Sequence, residues 1–421
     1  MAGPDESVSI THQLQKYVWS NEETAAYEAA IEAVNGAVGA HSALIGAEEA
    51  KPNPDRDVVE NARTARARLA REREALCSED REQIAAARQR YARLAREVRE
   101  GIAGEPNEVE RHRLPVAENR RIFDEGIVPE LLEGRAAQAT PTVVFLIGQP
   151  GSGKSRLTEM VARALDQYGG FVDVDSDLYK PYHPAYDALM ARDDTLMAAY
   201  TRADGRAWMA QAEEYVRSHK LNGIIQETSQ DPQAVRDKML AYRRAGARVE
   251  ALFMGVPKAM SDQGIVSRYF EQLADRGQGR LTVQSNADES YRGISALADS
   301  IDDGVLAHIA SVYRRGESDP RYSNTMDESG GWADPPALRD ALETERNRSW
   351  TDAESEAFVT TGVRLREASR DLGPEWSERL NRIEPPKTDS APGAPSYRPQ
   401  TAAGEARCPG VAPEYEVGRD V

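Results

Sequence analysis

The eight residues from Gly148 to Ser155, GQPGSGKS, constrain this chain more than any other segment. They follow the apolar run Val143 to Ile147 and precede a stretch with helical patterning from Leu157 to Gln167. Their Gly-x4-Gly-Lys-Ser spacing is that of a phosphate-binding loop. Between a strand and a helix, such glycines let the backbone wrap a polyphosphate, with amide groups and the helix N-terminus facing the anion. The pattern assigns the loop residues Gly148, Gln149, Pro150, Gly151, Ser152, Gly153, Lys154 and Ser155 to nucleotide contact. Lys154 is placed to reach the β- and γ-phosphates and Ser155 to hold Mg²⁺. A Gly-rich turn without a ligand would leave the strand–loop–helix order unexplained.

Further apolar runs follow at Phe171 to Val174, around Ile224 and Ile225, at Val249 to Val256 and at His308 to Tyr313. Helical patterns separate them, at Arg206 to His219 and Pro232 to Arg244 among others. Strand and helix alternating at this spacing predict an α/β fold with a parallel sheet flanked by helices. A Gly/Ser/Asp-rich stretch runs from Arg315 to Trp332, and one last helix is expected from Pro336 to Ser369. Ahead of the loop lie an Ala/Glu-rich segment and an Arg/Ala/Glu run from Val58 to Ile102, separated by the turn signal KPNPD at Lys51 to Asp55. They read as a helical hairpin of opposite charge or a coiled coil, the alternative being a single solvated helix with a leader. The Pro/Ala/Gly-rich end reads as a disordered tail. The expected units are 1–110, helical; 111–372, the nucleotide-binding α/β unit; and 373–421, the tail.

Composition narrows the class. In 421 residues, 70 acids against 53 Lys and Arg leave a formal charge of −17, which excludes a generic basic nucleic-acid binder. The acidity lies mostly at the ends, for residues 136–315 carry 21 bases and 23 acids. A near-neutral core does not repel anionic substrates at long range. No apolar run approaches a membrane span, and the start MAGPDESVSI lacks the features of a signal peptide. The two cysteines, Cys77 and Cys408, form no disulfide framework. A cytoplasmic protein without membrane or nucleic-acid partners is expected.

The remaining chemistry lies downstream of the loop. In FVDVDSDLYKPYHPAYDAL, Asp173, Asp175 and Asp177 alternate, so at least one should lie beyond the strand, over the crevice where such sheets bind ligands. A carboxylate there can take a proton from an attacking hydroxyl; the plainer reading is an acidic turn capping a helix. LNGIIQETSQ puts Glu227 and Thr228 at the end of the next strand, with Glu227 a sugar-hydroxyl contact, a Mg²⁺ ligand through water, or a helix N-terminal acid. Arg268 and Arg280 flank a Gly-containing segment that could close as a lid, and phosphoryl transfer needs such cations. Both are also compatible with solvated helix positions. His183, before Pro184, reads as structural or substrate-lining, since the six histidines have no metal-ligand spacing.

Taken together, GQPGSGKS, VDSDLYKPYHPAYD, a strand ending in QET, and VPK…SRY…GRLT resemble the zeta toxin family of bacterial P-loop kinases over roughly residues 112–370. The resemblance implies ATP and Mg²⁺ at Lys154 and Ser155, and Asp177 as the base that deprotonates the acceptor. It implies Glu227 and Thr228 near the substrate, and Arg268 and Arg280 on the transferred phosphate. Gln211 falls where better-known members carry a substrate-contacting glutamate. The implied reaction is phosphorylation of the 3′-hydroxyl of UDP-N-acetylglucosamine by a bacterial toxin. The implied partner is a helical antitoxin blocking the nucleotide site, a role residues 1–105 could fill in cis. The alternatives are a kinase of another metabolite, such as a dinucleotide or nucleotide, and an ATP-switched interaction protein.

Overall fold

The computed structural model describes residues 8–14, 19–100, 113–192, 197, 201–277, 279–370 and 372–383. At its centre is a six-stranded sheet of order β2-β3-β1-β4-β5-β6. The strands are β1 (Thr142–Ile147), β2 (Val172–Val174), β3 (Gly223–Glu227), β4 (Arg248–Met254), β5 (Ile309–Tyr313) and β6 (Pro320–Thr325). The first five are parallel, and β6 joins antiparallel at the edge. Every residue of β1 is buried, as expected of a strand covered on both faces. Val143, Phe145 and Ile147 enter one hydrophobic cluster, and Val144 and Leu146 enter another on the opposite face. Asn222 ties the entry ends of the central strands together. Its Oδ1 accepts from Thr142 N at 2.9 Å, and its Nδ2 donates to Tyr168 O and Gly170 O at 2.9 and 3.1 Å.

The helices, in chain order, are α1 (Asn21–Glu49), α2 (Arg56–Glu74), α3 (Arg81–Glu100), α4 (Val116–Ile122), α5 (Lys154–Asp166), α6 (Ser176–Tyr179), α7 (Tyr186–Arg192), α8 (Arg202–His219), α9 (Pro232–Arg244), α10 (Lys258–Arg276), α11 (Gln284–Gly304), α12 (Leu338–Asn347), α13 (Asp352–Ala368) and α14 (Pro374–Asn381). A π-helical stretch, Phe123–Leu132, continues α4. The KPNPD turn stands where expected: Asp55 caps α2, and its own amide donates to Glu48. The run from Val58 to Ile102, read as one helix, is two. It breaks between Glu74 and Arg81, where Asp80 accepts from Gln83 N at 2.8 Å. The single helix expected from Pro336 to Ser369 is also two, restarted by a capping box between Thr351 and Glu354. Within the stretch read as irregular, Pro320–Thr325 forms β6. The residues read as a disordered tail beyond Ile383 lie outside those described. Cys77 is disulfide-bonded, whereas its sequence context pointed to no disulfide framework. No helix among the described residues is long and apolar enough to cross a membrane.

Helix α1 is the surprise of the fold. Instead of being amphipathic, it is buried on nearly every side, as only a helix enclosed by other elements can be. On one side it packs against α2 and α3, and on the other against the α/β unit. One cluster runs without interruption from Ala30, Val34 and Ala37 through Leu69 and Tyr91 to Phe145 and Trp208. Close approach depends on small residues: a Cβ on Gly39 would lie 2.6 Å from the Tyr186 ring, and one on Gly46 3.1 Å from Pro184. Buried Arg66 joins α2 to Glu130 at 2.9 Å and to Ser42 at 3.2 Å, while lying over the Tyr182 ring. Arg88 on α3 clasps Asp275 and Glu271 of α10 at 2.7 Å each. Further down the chain, Glu250 in β4, wholly buried, accepts from Arg248, from the amides of Ile10 and Thr11 and from the Thr11 hydroxyl. Gly39→Val is expected to destabilise the chain by about 1–3 kcal/mol through overpacking against Tyr186. Chemical denaturation checks this, with a polar change at exposed Val359 as the control expected to stay within about 0.5 kcal/mol.

Candidate active site

The loop after β1 has the geometry its glycines predict. Gly151 and Gly153 take φ of +73° and +85°, and a Cβ on Gly151 would lie 2.2 Å from Ser261 O. Gln149, buried, donates from Nε2 to Val256 O at 3.0 Å and Ser261 Oγ at 2.7 Å, anchoring the loop to the start of α10. Lys154 and Ser155 open α5. Lys154 Nζ is turned onto its own loop, donating to Gly148 O at 2.5 Å and Gln149 O at 3.3 Å. Burial pushes its ammonium down to about 8, although the charges of Asp175, Glu28 and Asp177 work in the other direction. Ser155 Oγ donates to Glu28 Oε1 of α1 at 2.5 Å. The hydroxyl expected to hold Mg²⁺ is thus engaged by a carboxylate of α1.

Across the crevice, β2 ends at Val174 and Asp175 caps α6 by accepting from Asp177 N at 2.9 Å. Burial, then the carboxylates of Asp177 and Asp173, push the Asp175 carboxyl up to about 7. Asp177 behaves oppositely. Burial raises it, but the charges of Arg280 and Lys180 outweigh that and hold it well below the usual carboxylate range. Arg280 pairs with Asp177 Oδ2, and Lys180 Nζ lies 2.9 Å from Oδ1. Arg280 also faces Glu32 of α1 at 3.7 Å. Arg268 donates to Thr282 Oγ1 at 3.2 Å and faces Glu28 at 3.8 Å. Close to Arg280 the chain packs against α10, where a Cβ on Gly279 would lie 2.7 Å from Tyr269 O.

These groups line a cavity of about 700 Å³ between α1 and α2 on one side and the carboxyl ends of the strands on the other. Lys154, Ser155, Asp177, Glu227, Thr228, Arg268 and Arg280 all face it. Gln211 does not: its Nε2 donates to Asn119 Oδ1 at 2.9 Å and to Ala207 O at 3.3 Å. Glu213, two residues on and about 200° around the helix, lines the cavity instead. Lys238 Nζ bridges Glu213 and Glu227 at 2.8 and 2.7 Å. His183 is also outside the cavity wall. It is buried against Trp208, 3.6 Å from Asp204, and accepts from Ala185 N at 3.1 Å. Sequence reasoning missed Glu28, Glu32, Glu213, Lys180 and Lys238. Of these, Lys180 had a usable signal, its place three residues after Asp177.

Comparison with known proteins finds zeta toxins. The zeta toxin family model matches residues 130–327. Toxin zeta of Enterococcus hirae is 23% identical over 222 residues, 52% of this chain and 74% of that protein. Toxin zeta of Streptococcus pyogenes is 25% identical over 146 residues, 35% of this chain and 50% of that protein. A solved chain from work on the PezAT chromosomal toxin–antitoxin system of Streptococcus pneumoniae superposes with a TM-score of 0.52 at 17% identity. It covers 62% of this chain and all of its own.

The raised Asp175 carboxyl carries a consequence for stability. Between the ordinary carboxylate value of 3.8 and about 7, the native state keeps a proton that the unfolded chain releases. Native stability therefore falls as pH rises through that window. Asp175→Asn keeps the cap and removes the titration. Its stability relative to the parent should rise between pH 4 and pH 7.5, as read from denaturation midpoints across that range.

Proposed function

From a chain whose residues 130–327 belong to the zeta toxin family, we propose an ATP-dependent kinase that phosphorylates a nucleotide-sugar hydroxyl, with the 3′-hydroxyl of UDP-N-acetylglucosamine as acceptor. The observation that carries the reading is the convergence of the phosphate loop, the Asp177 carboxylate and two arginines on one cavity. A hydrolytic switch needs an acid aimed at water. Transfer to a hydroxyl needs a base and cations around the moving phosphoryl group, the roles proposed for Asp177, Arg268 and Arg280.

Each residue then has a task. The loop amides and Lys154 bind the polyphosphate, and Arg268 and Arg280 hold the γ-phosphoryl group in line with the acceptor. Glu227, fixed by Lys238, accepts a hydrogen bond from the sugar, beside Thr228. Ser155 would hold Mg²⁺, which would supply charge neutralisation at the phosphates. Asp177 takes the proton from the attacking hydroxyl. In the structure Arg280 is paired with it, which makes it a poor base. When Arg280 turns to the phosphate, Asp177 loses that partner and its basicity rises toward what proton transfer requires.

We further propose that the chain is held closed in cis by α1. Glu28 takes the hydroxyl that Mg²⁺ requires, and Glu28 and Glu32 stand as anions before Arg268 and Arg280. A separate antitoxin presenting similar carboxylates would be a second partner for the same site.

Lys154→Ala is expected to lower kcat/KM by roughly 10²- to 10³-fold, and Asp177→Ala by about 10²- to 10⁴-fold, with unfolding midpoints kept. Mass spectrometry of the products formed from ATP with nucleotide-sugars and dinucleotides identifies the acceptor. A phosphorylated dinucleotide alone would move the assignment to that acceptor, and ATP hydrolysis without any phosphorylated product would favour a switch protein. Glu28→Ala is expected to tighten ATP binding by at least about tenfold, the worth of one charge-assisted hydrogen bond, as titration calorimetry reads directly.

A further inference from the structure

One cation beside the loop has no task in the mechanism above. Arg315 follows β5, and its guanidinium reaches back between the loop and α10. Its Nε would lie 3.5 Å from a Cβ on Gly153, and its Nη2 3.1 Å from one on Gly264. Its hydrogen bond runs from Nη1 to Met260 O at 2.8 Å, whereas Nε is buried and has no acceptor. Together with Thr24, Glu28, Gly151, Gly264 and Ser267 it lines a small recess on the flank of the loop.

A guanidinium out of water needs an anion. Glu28 lines the same recess as Arg315 and is the carboxylate whose charge acts on it, and that carboxylate belongs to the segment proposed to leave the site. Once α1 withdraws, Arg315 is left with one neutral carbonyl acceptor and an unsatisfied Nε. The anion that arrives in place of Glu28 is the polyphosphate gathered by the same loop. The Nη1 bond to Met260 O braces Arg315 against α10, and it leaves Nε, on the side of the loop, without an acceptor.

We infer that Arg315 is a third arginine of the nucleotide site, binding the polyphosphate of ATP directly, with Glu28 as its stand-in anion in the closed chain. The inference rests on the nucleotide-binding reading above. It concerns binding, and leaves the transferred group to Arg268 and Arg280.

The test uses the full chain carrying Glu28→Ala, with calorimetric titration of ATP, tripolyphosphate and adenosine. Adding Arg315→Ala is expected to weaken ATP and tripolyphosphate by about 10- to 100-fold, the range for a hydrogen bond to a charged group, while adenosine is unchanged. Arg315→Lys should restore part of the loss through its charge. Less than a threefold loss for ATP would overturn the assignment, as would an equal loss for adenosine. A lowered unfolding midpoint with ATP affinity retained would also overturn it, since Arg315 would then be a structural brace. Lys154→Ala in the same background separates the two levels. If neither the parent nor this variant binds ATP, the nucleotide reading fails and the Arg315 inference falls with it.

Discussion

The carboxyl end of the sheet gathers Lys154, Arg268, Arg280 and Arg315 around one loop, and buried positive charge of that density must be matched by anions. In the structure the match comes from Asp177 and from two glutamates of α1. Most of what is distinctive about the molecule follows from that requirement. The glycines of the loop take left-handed geometry so that the backbone can face an anion. Arg268 lies on α10 and the chain beyond that helix packs back against it at Gly279, so Arg280 lines the same cavity. The long first helix runs through the middle of the molecule, where it can supply Glu28 and Glu32 one turn apart.

The same charges explain why the candidate catalytic groups satisfy one another. Arg280 neutralises Asp177, Lys154 lies on its own carbonyls, and Ser155 is bonded to Glu28. Each of these contacts must exchange for a contact to phosphate, Mg²⁺ or acceptor. The exchange is a competition between anions for one set of cations, which a ligand wins only through the difference in its affinity for the open and closed states. The shared hydrophobic cluster and the Arg66 and Arg88 contacts oppose wholesale release of the helical unit. A shift of α1 over the loop asks less of the structure than detachment of all three helices.

Much of the sheet and the site could be read from the sequence. The loop announces itself by spacing, and Asp177, Glu227 and Thr228 follow from the rule that strands deliver their ends to the ligand. Elements without such a mark escaped. Pro320–Thr325 is polar and exposed because it is an edge strand. The break between α2 and α3 contains neither Gly nor Pro. The capping box at Thr351 and Glu354 was a usable signal that periodicity overrode. Gln211 was placed by sequence offset, and helix phase turns it away and brings Glu213 in. Glu28 could not be found this way at all: it meets Ser155 across 127 residues of chain, and its helix has no polar face to mark what it covers.

Amide hydrogen exchange of the full chain, with and without ATP and Mg²⁺, tests the competition most directly. The account predicts that nucleotide slows exchange in the loop and the first turn of α5, and speeds exchange in α1 around Thr24 to Glu32. Protection of the loop with no change in α1 would show that nucleotide and helix do not compete, and would contradict it.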